Sequence, residues 1–258
     1  VKLSFPALLS DVWKLWRSDW DVLTAVAGLF VFLPVLAKAL LIPDWPMPPD
    51  GAGLAPGSPA AAAYGQSMAA WFGQYGLGLA LIGLLASFGQ FALVSLYLSA
   101  DRPSAGQALA TAARRFPRFV LAWLIIMVPL TLVGTLVALV PLLLPAFAVL
   151  FFWLFARTIA LAPVLFAEAP TGAWRAVIRS LHLTRGSTFA LAAAIMTVFL
   201  VASLAASPFE ALDAWMIARA PNPVARVMVD AVVALITAFD YIAMALVQVA
   251  AYRRLRAR

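Results

Sequence analysis

Two ionisable side chains, Arg157 and Asp240, stand inside long apolar stretches of the sequence. A charge in hydrocarbon is costly unless it is paired or hydrated, so such residues mark either a buried ion pair or a path for a proton or substrate. Counted from Ala146 and Val227, the outer ends of their apolar runs, Arg157 lies 11 residues in and Asp240 lies 13. At about 1.5 Å per residue these are depths of roughly 16 and 20 Å. The match predicts that both face the interior near the midplane and pair, or share waters with Thr158, Thr237, Tyr241 or Gln248. A structural pair fixing helix register and a substrate or proton pathway both remain open.

Other catalytic chemistry finds little support. The chain has no cysteine and one histidine, His182, so neither a thiol nucleophile nor a zinc cluster is expected. It carries no nucleophile elbow and no phosphate-binding glycine loop. Asp230 and Asp240 lie ten residues apart on one helix and point in different directions, which makes a poor aspartyl dyad. No enzyme, cofactor or metal is expected.

A second group of charges follows the fourth apolar run, in the segment from Glu168 to Gly186. Arg175, Arg179, His182 and Arg185 could attract an anionic lipid headgroup. The segment also reads as a structural brace. Pro170 and Gly172 turn the chain, Thr171 could cap a new helix, Glu168 could accept from its first amides, and Gly186 could end it at positive φ.

These residues lie in an extremely apolar chain. Of 258 residues, 65% are hydrophobic and 11% charged, far from the roughly 45–50% and about 25% of globular domains. Six spans are expected, at residues 22–42, 77–98, 119–140, 146–166, 188–206 and 227–252, within a single transmembrane domain over 1–258. Pro141 and Pro145 predict a tight hairpin between the third and fourth. Pro34, Pro129 and Pro163 fall inside spans and release the carbonyls of Phe30, Ile125 and Ile159, so kinks are expected there.

The first run is followed by Ala37-Lys38-Ala39, which loosely fits a signal-peptide cleavage site. The preceding Asp11, Asp19 and Asp21, with Trp13, Trp16 and Trp20, are unlike a short basic leader. An anchored first helix is expected. Lys38 and Asp230 lie near outer span ends, where both can reach water.

The net charge of +7 suggests orientation rather than nucleic-acid binding. Lys2, Lys14, Arg17, Arg102, Arg114, Arg115, Arg118, Arg175, Arg179, Arg185, Arg253, Arg254, Arg256 and Arg258 fall on one side, and only Arg219 and Arg226 on the other. That asymmetry places both termini in the cytoplasm. On the outer side, residues 43–76 are expected to form an irregular loop with a short helix through Tyr64 to Phe72. Residues 207–226, with Phe209, Leu212, Trp215 and Ile217, are expected to lie in the interface.

Amphipathic helices are expected before each odd-numbered span, near 6–20, 103–116 and 170–185. Their apolar faces are Leu9, Val12, Trp13, Trp16 and Trp20; Leu109, Ala112 and Phe116; and Trp174, Ile178 and Leu181. Opposite them lie Asp11, Lys14 and Arg17 in the first and Arg175, Arg179 and His182 in the third. The spacing from Pro6, Pro103 and Pro170 to the next span suggests three repeats of helix plus transmembrane hairpin, with chance similarity as the alternative.

The segment Glu168-Ala-Pro-Thr-Gly172-Ala173-Trp174-Arg-Ala-Val-Ile-Arg179-Ser180-Leu-His-Leu183-Thr184-Arg185-Gly186, with Tyr252 and its basic neighbours, resembles the bacterial membrane domain that precedes some glycerophosphodiester phosphodiesterases and also occurs in stand-alone membrane proteins. The resemblance implies a helical domain of the bacterial inner membrane. These 258 residues hold no phosphodiesterase domain, and Arg253 and Arg254 stand where relatives often carry an acid, so neither that activity nor a role for the acid is carried over. The function expected is a non-catalytic membrane protein organising lipids or partner proteins through basic helices, with no nucleic-acid partner. The alternative is a transporter or lipid-handling protein using Arg157 and Asp240.

Overall fold

The computed structural model describes residues 3–48, 58–98, 104–138, 140–219 and 222–257; Lys2, Arg102, Pro103 and Arg258 lie outside them, as do parts of both outer loops. The described residues are 89% helical, with no strand among them. Six helical stretches are long and apolar enough to cross a membrane, making this a multi-pass membrane protein. Many of their large side chains, such as Leu81, Leu132, Val149 and Leu204, are exposed, as a lipid-facing surface requires.

The chain begins with α1 (Phe5–Ser18), which bends at Asp19 into the first span. That span joins α2 (Trp20–Ala27), a π-helical turn (Gly28–Phe32) and α3 (Leu33–Leu41). The expected kink at Pro34 takes the form of this π turn: Pro34 has no N–H to give, and the ladder widens so that Leu33 N bonds Gly28 O. On α4 (Pro59–Leu98), Gly89 faces the turn so closely that an added Cβ would lie 2.6 Å from Phe30 Cβ.

The helices α4 and α5 (Ala105–Ala138) outrun the bilayer. Residues 64–72, expected as a separate short helix, are part of the 40-residue α4, roughly 60 Å long at about 1.5 Å per residue. Trp71 Nε1 ties this extension to Pro43 O at 3.2 Å. Likewise the stretch near 105–116 continues into the span through Pro117 and does not form a separate interfacial helix. Nothing there reverses the chain as Gly186, at φ 80°, does later.

The expected hairpin is present: a 3₁₀ turn (Pro141–Leu143) leads into α6 (Leu144–Thr158). Pro163 does more than kink the fourth span. The helix stops at Thr158 and restarts as α7 (Leu161–Ala167), with Val164 N bonding Ala160 O. A separate α8 (Ala173–Leu183) then precedes α9 (Thr188–Arg219) and α10 (Pro223–Arg256). The stretch 207–219, expected to lie in the interface, is instead the end of α9, which runs on through Pro208. There Asp213 holds Arg226 of α10 at 2.8 Å.

The helix α10 is the axis of the bundle, with thirteen buried residues from Val229 to Leu255 and packing against α1, α2, α3, α4, α7 and α9. Phe91, Phe116, Phe119 and Phe166 form an aromatic core beside it, with Phe91 and Phe166 centroids 4.3 Å apart. A smaller core joins Leu8 of α1 to Leu191, Ile195, Val247 and Leu255. The inward side of α1 is therefore Leu8, Val12, Leu15 and Trp16, while Trp13 is exposed. Asp11, expected opposite the apolar face, turns partly inward to meet Arg254 Nε at 2.5 Å. The two ends of the described chain thus lie at the same end of the bundle.

Candidate functional site

The break at Pro163 creates the first site. A helix end leaves carbonyls without intrahelical donors, and α8 supplies them: Ser180 Oγ and Thr184 Oγ1 each lie 3.0 Å from Arg157 O. Both hydroxyls are buried on the inner face of α8, one turn apart, beside Ala173, Ala176 and Val177. This cap fixes Arg157 against α8.

Around its axis α8 presents three sides. Small residues face the protein, Trp174 and Ile178 are exposed, and Arg175, Arg179 and His182 form the polar side. On the expected apolar face, Trp174 and Ile178 therefore point away from the protein, while Leu181 packs half-buried against the main core.

Glu168 anchors the start of this motif. It receives Arg179 Nε at 2.9 Å and 3.2 Å on its two oxygens, and Tyr252 Oη at 3.2 Å. It does not accept from the first amides of α8. Thr171 donates to Glu168 O and does not cap the helix; the N-cap is Gly172, which carries no side-chain cap. Gly172 has φ −75° and open space where a Cβ would lie, whereas Gly186 requires its positive φ. Leu183 is half-buried against the main core.

Several arginines at this end of the bundle are occupied by carbonyls. Arg115 donates to Leu165 O and Phe166 O at the end of α7, Arg253 to Tyr97 O at the end of α4, and Arg254 to Ala7 O as well as Asp11. Cations suit helix C-termini, where carbonyl partial charges accumulate. Arg179 is held by Glu168, and Arg175 is exposed on the polar side of α8.

Arg157 is different. Its guanidinium lies over the Trp153 ring, 5.6 Å from the centroid. Nε is buried with no hydrogen-bond partner among the described residues. The side chain lines a cavity of about 210 Å³ with Ile178, Leu181, His182 and Arg185. Three cationic or donor side chains thus converge on one space.

The expected pairing with Asp240 is not found: no ion pair joins the two residues, and they line separate cavities. Equal depth for the two residues requires the fourth span to be one straight helix. The break after Thr158 and the hydroxyl cap from α8 draw Arg157 to the basic end of the bundle. Asp240 stays near the middle of α10. It lines a cavity of about 460 Å³ with Tyr241, Gln248, Gln90, Ser87 and Thr158 among many aromatic side chains. Asp240 Oδ1 and Gln248 Oε1 are buried and accept no hydrogen bond from the described residues. Of the other residues expected near the pair, Thr237 and Thr158 bond carbonyls of their own helices.

At the opposite end of the bundle a third cavity, of about 440 Å³, is lined by Lys38, Asp44, Glu210, Asp213 and Asp230 beneath Trp45 and Trp71. No cluster of three metal-ligating side chains occurs among the described residues.

Comparison with protein-family models, curated proteins and solved structures finds no match to this chain.

Proposed function

We propose that the chain is a non-catalytic protein of the bacterial cytoplasmic membrane that binds an anionic lipid headgroup at its basic end, and through it organises lipids or a partner protein beside them. The carrying observation is Arg157, whose buried Nε has no hydrogen-bond partner among the described residues and whose side chain lines a cavity with His182 and Arg185. A phosphate offers acceptors to all three and suits the fork of a guanidinium. Exposed Trp153 on α6, Trp174 and Ile178 on α8, and Phe189 at the start of α9 offer apolar surface to acyl chains.

Four charge clusters support an orientation with this end in the cytoplasm: Arg114, Arg115 and Arg118; Arg175, Arg179 and Arg185; Lys14 and Arg17; and Arg253, Arg254 and Arg256. The meeting of Glu168, Arg179 and Tyr252 supports reading the 168–186 segment as kin to the membrane domain found before the phosphodiesterases. A single transport site made of Arg157 and Asp240 is disfavoured, since the two line different cavities.

Native mass spectrometry of protein extracted with its lipids tests the reading. An anionic phospholipid should stay bound to the native chain and to Arg175→Gln, and be lost from Arg157→Gln and Arg185→Gln. Equal retention by all four proteins overturns it.

A further inference from the structure

The cavity around Asp240 has the opposite chemistry to the one around Arg157. It opens within the helical bundle between α4, α5, α6, α9 and α10, and its volume of about 460 Å³ falls in the roughly 300–1,000 Å³ range of small-molecule sites. Most of its wall is apolar and aromatic, including Trp123, Phe155 and Phe199. The polar exceptions are Asp240, Tyr241 and Gln248 along α10, Ser87 and Gln90 on α4, and Thr158 at the end of α6.

The unsatisfied atoms define the ligand. Asp240 Oδ1 and Gln248 Oε1 are both acceptors, both buried, and neither receives a hydrogen bond from the described residues. No Lys, Arg or His lines the space. An anion would face a carboxylate with no cation to offset it. A pure hydrocarbon would leave both acceptors without donors, which is costly in a low-dielectric interior. A protonated amine supplies what is missing: N–H donors, a positive charge for the carboxylate, and attraction to the surrounding aromatic faces. We propose that this cavity binds a lipophilic amine, its ammonium group on Asp240 within reach of Gln248 and its apolar body among Trp123, Phe155 and Phe199. The site is independent of the headgroup site, from which it differs in place and in charge.

Binding of tritiated decylamine to the protein in phosphatidylcholine nanodiscs tests this, read by scintillation proximity. With the native chain, retention should be saturable. Unlabelled decylamine should displace the label, decyltrimethylammonium, which lacks N–H donors, should do so less well, and decanoic acid not at all. Asp240→Asn should weaken binding by about tenfold or more. Ser87→Trp, which fills the cavity and leaves Asp240 in place, should abolish saturable binding. Arg157→Gln should leave it unchanged, separating this site from the headgroup site. Displacement by decanoic acid as effective as by decylamine, or equal saturable binding in the native chain and Ser87→Trp, overturns the proposal even if Asp240→Asn does not fold.

Discussion

Tyr252, near the end of α10, donates its phenolic hydroxyl to Glu168 Oε1 at 3.2 Å, joining the last helix to the turn before α8 across 84 positions. The same carboxylate holds Arg179 of α8. One acidic residue thus fixes α8 to the axial helix, and α8 in turn caps α6 through Ser180 and Thr184. The cavity of Arg157, His182 and Arg185 depends on that placement.

The two bonds to Glu168 should differ in weight. The ring of Tyr252 is buried, whereas the Arg179 side chain is half exposed. Tyr252→Phe should cost about 1 kcal/mol, the typical worth of a hydrogen bond. Arg179→Ala should cost less, since exposed ion pairs contribute about 0–1 kcal/mol. Glu168→Ala removes both and should be the most damaging. Reversible unfolding of the three variants in mixed micelles checks the order, and a larger loss for Arg179→Ala than for Tyr252→Phe contradicts it.

At Gly89 the packing of α4 on the π turn admits no side chain, because a Cβ would lie 2.6 Å from Phe30 Cβ. Gly89→Ala should destabilise by about 1–3 kcal/mol, the usual cost of overpacking. At Gly83, on the same helix, a Cβ meets nothing within 4 Å. Gly83→Ala should be neutral or stabilising, since alanine favours helix. Thermal midpoints of the purified variants separate the two, and equal midpoints count against the close approach.

The ion pair between Asp11 and Arg254 makes docking of α1 sensitive to acid. The hydrogen bond from Arg254 holds the Asp11 carboxyl below the usual carboxylate range. A carboxylate more acidic in the folded than in the unfolded chain stabilises the fold while ionised. Its contribution is complete above the unfolded value of about 3.9 and is lost as pH falls through the lower folded value. Asp11→Asn should therefore be less stable than the native chain at neutral pH, and the gap should close in strong acid. A gap that widens on acidification has the wrong sign.

Arg157 and Asp240, expected to pair, share neither a bond nor a cavity. Arg157→Gln and Asp240→Asn should then be additive within about 0.5 kcal/mol in a double-mutant cycle. Rescue of either substitution by the other would restore the direct pair.

What the sequence revealed follows from where its signals are strong. Apolar runs long enough to cross hydrocarbon identify the six spans at once, and the prolines mark real discontinuities at Pro34 and Pro163. Gly186 declares the end of α8 because few other residues tolerate its φ. Less legible were the helix extensions 59–76 and 207–219, since turn-rich or polar composition outside a span does not break a helix that has a neighbour to pack on. Which sides of α1 and α8 pack on the protein is hard to read from sequence for a related reason. In a membrane, large apolar side chains such as Trp174 can face lipid, and small residues such as Ala176 and Ser180 allow close helix packing. The position of Arg157 is not legible from residue counting, which cannot foresee the break after Thr158. The hydroxyl pair Ser180 and Thr184, four residues apart on one face, was the available clue that α8 caps another helix.

The Arg157 site is tested most directly by determining the structure of the protein in nanodiscs containing phosphatidylglycerol. A phosphate should occupy the cavity between α6 and α8, with an oxygen about 3 Å from the Arg157 guanidinium and in reach of His182 and Arg185. A cavity holding only water, or a phosphate bound solely at Arg175, would contradict it.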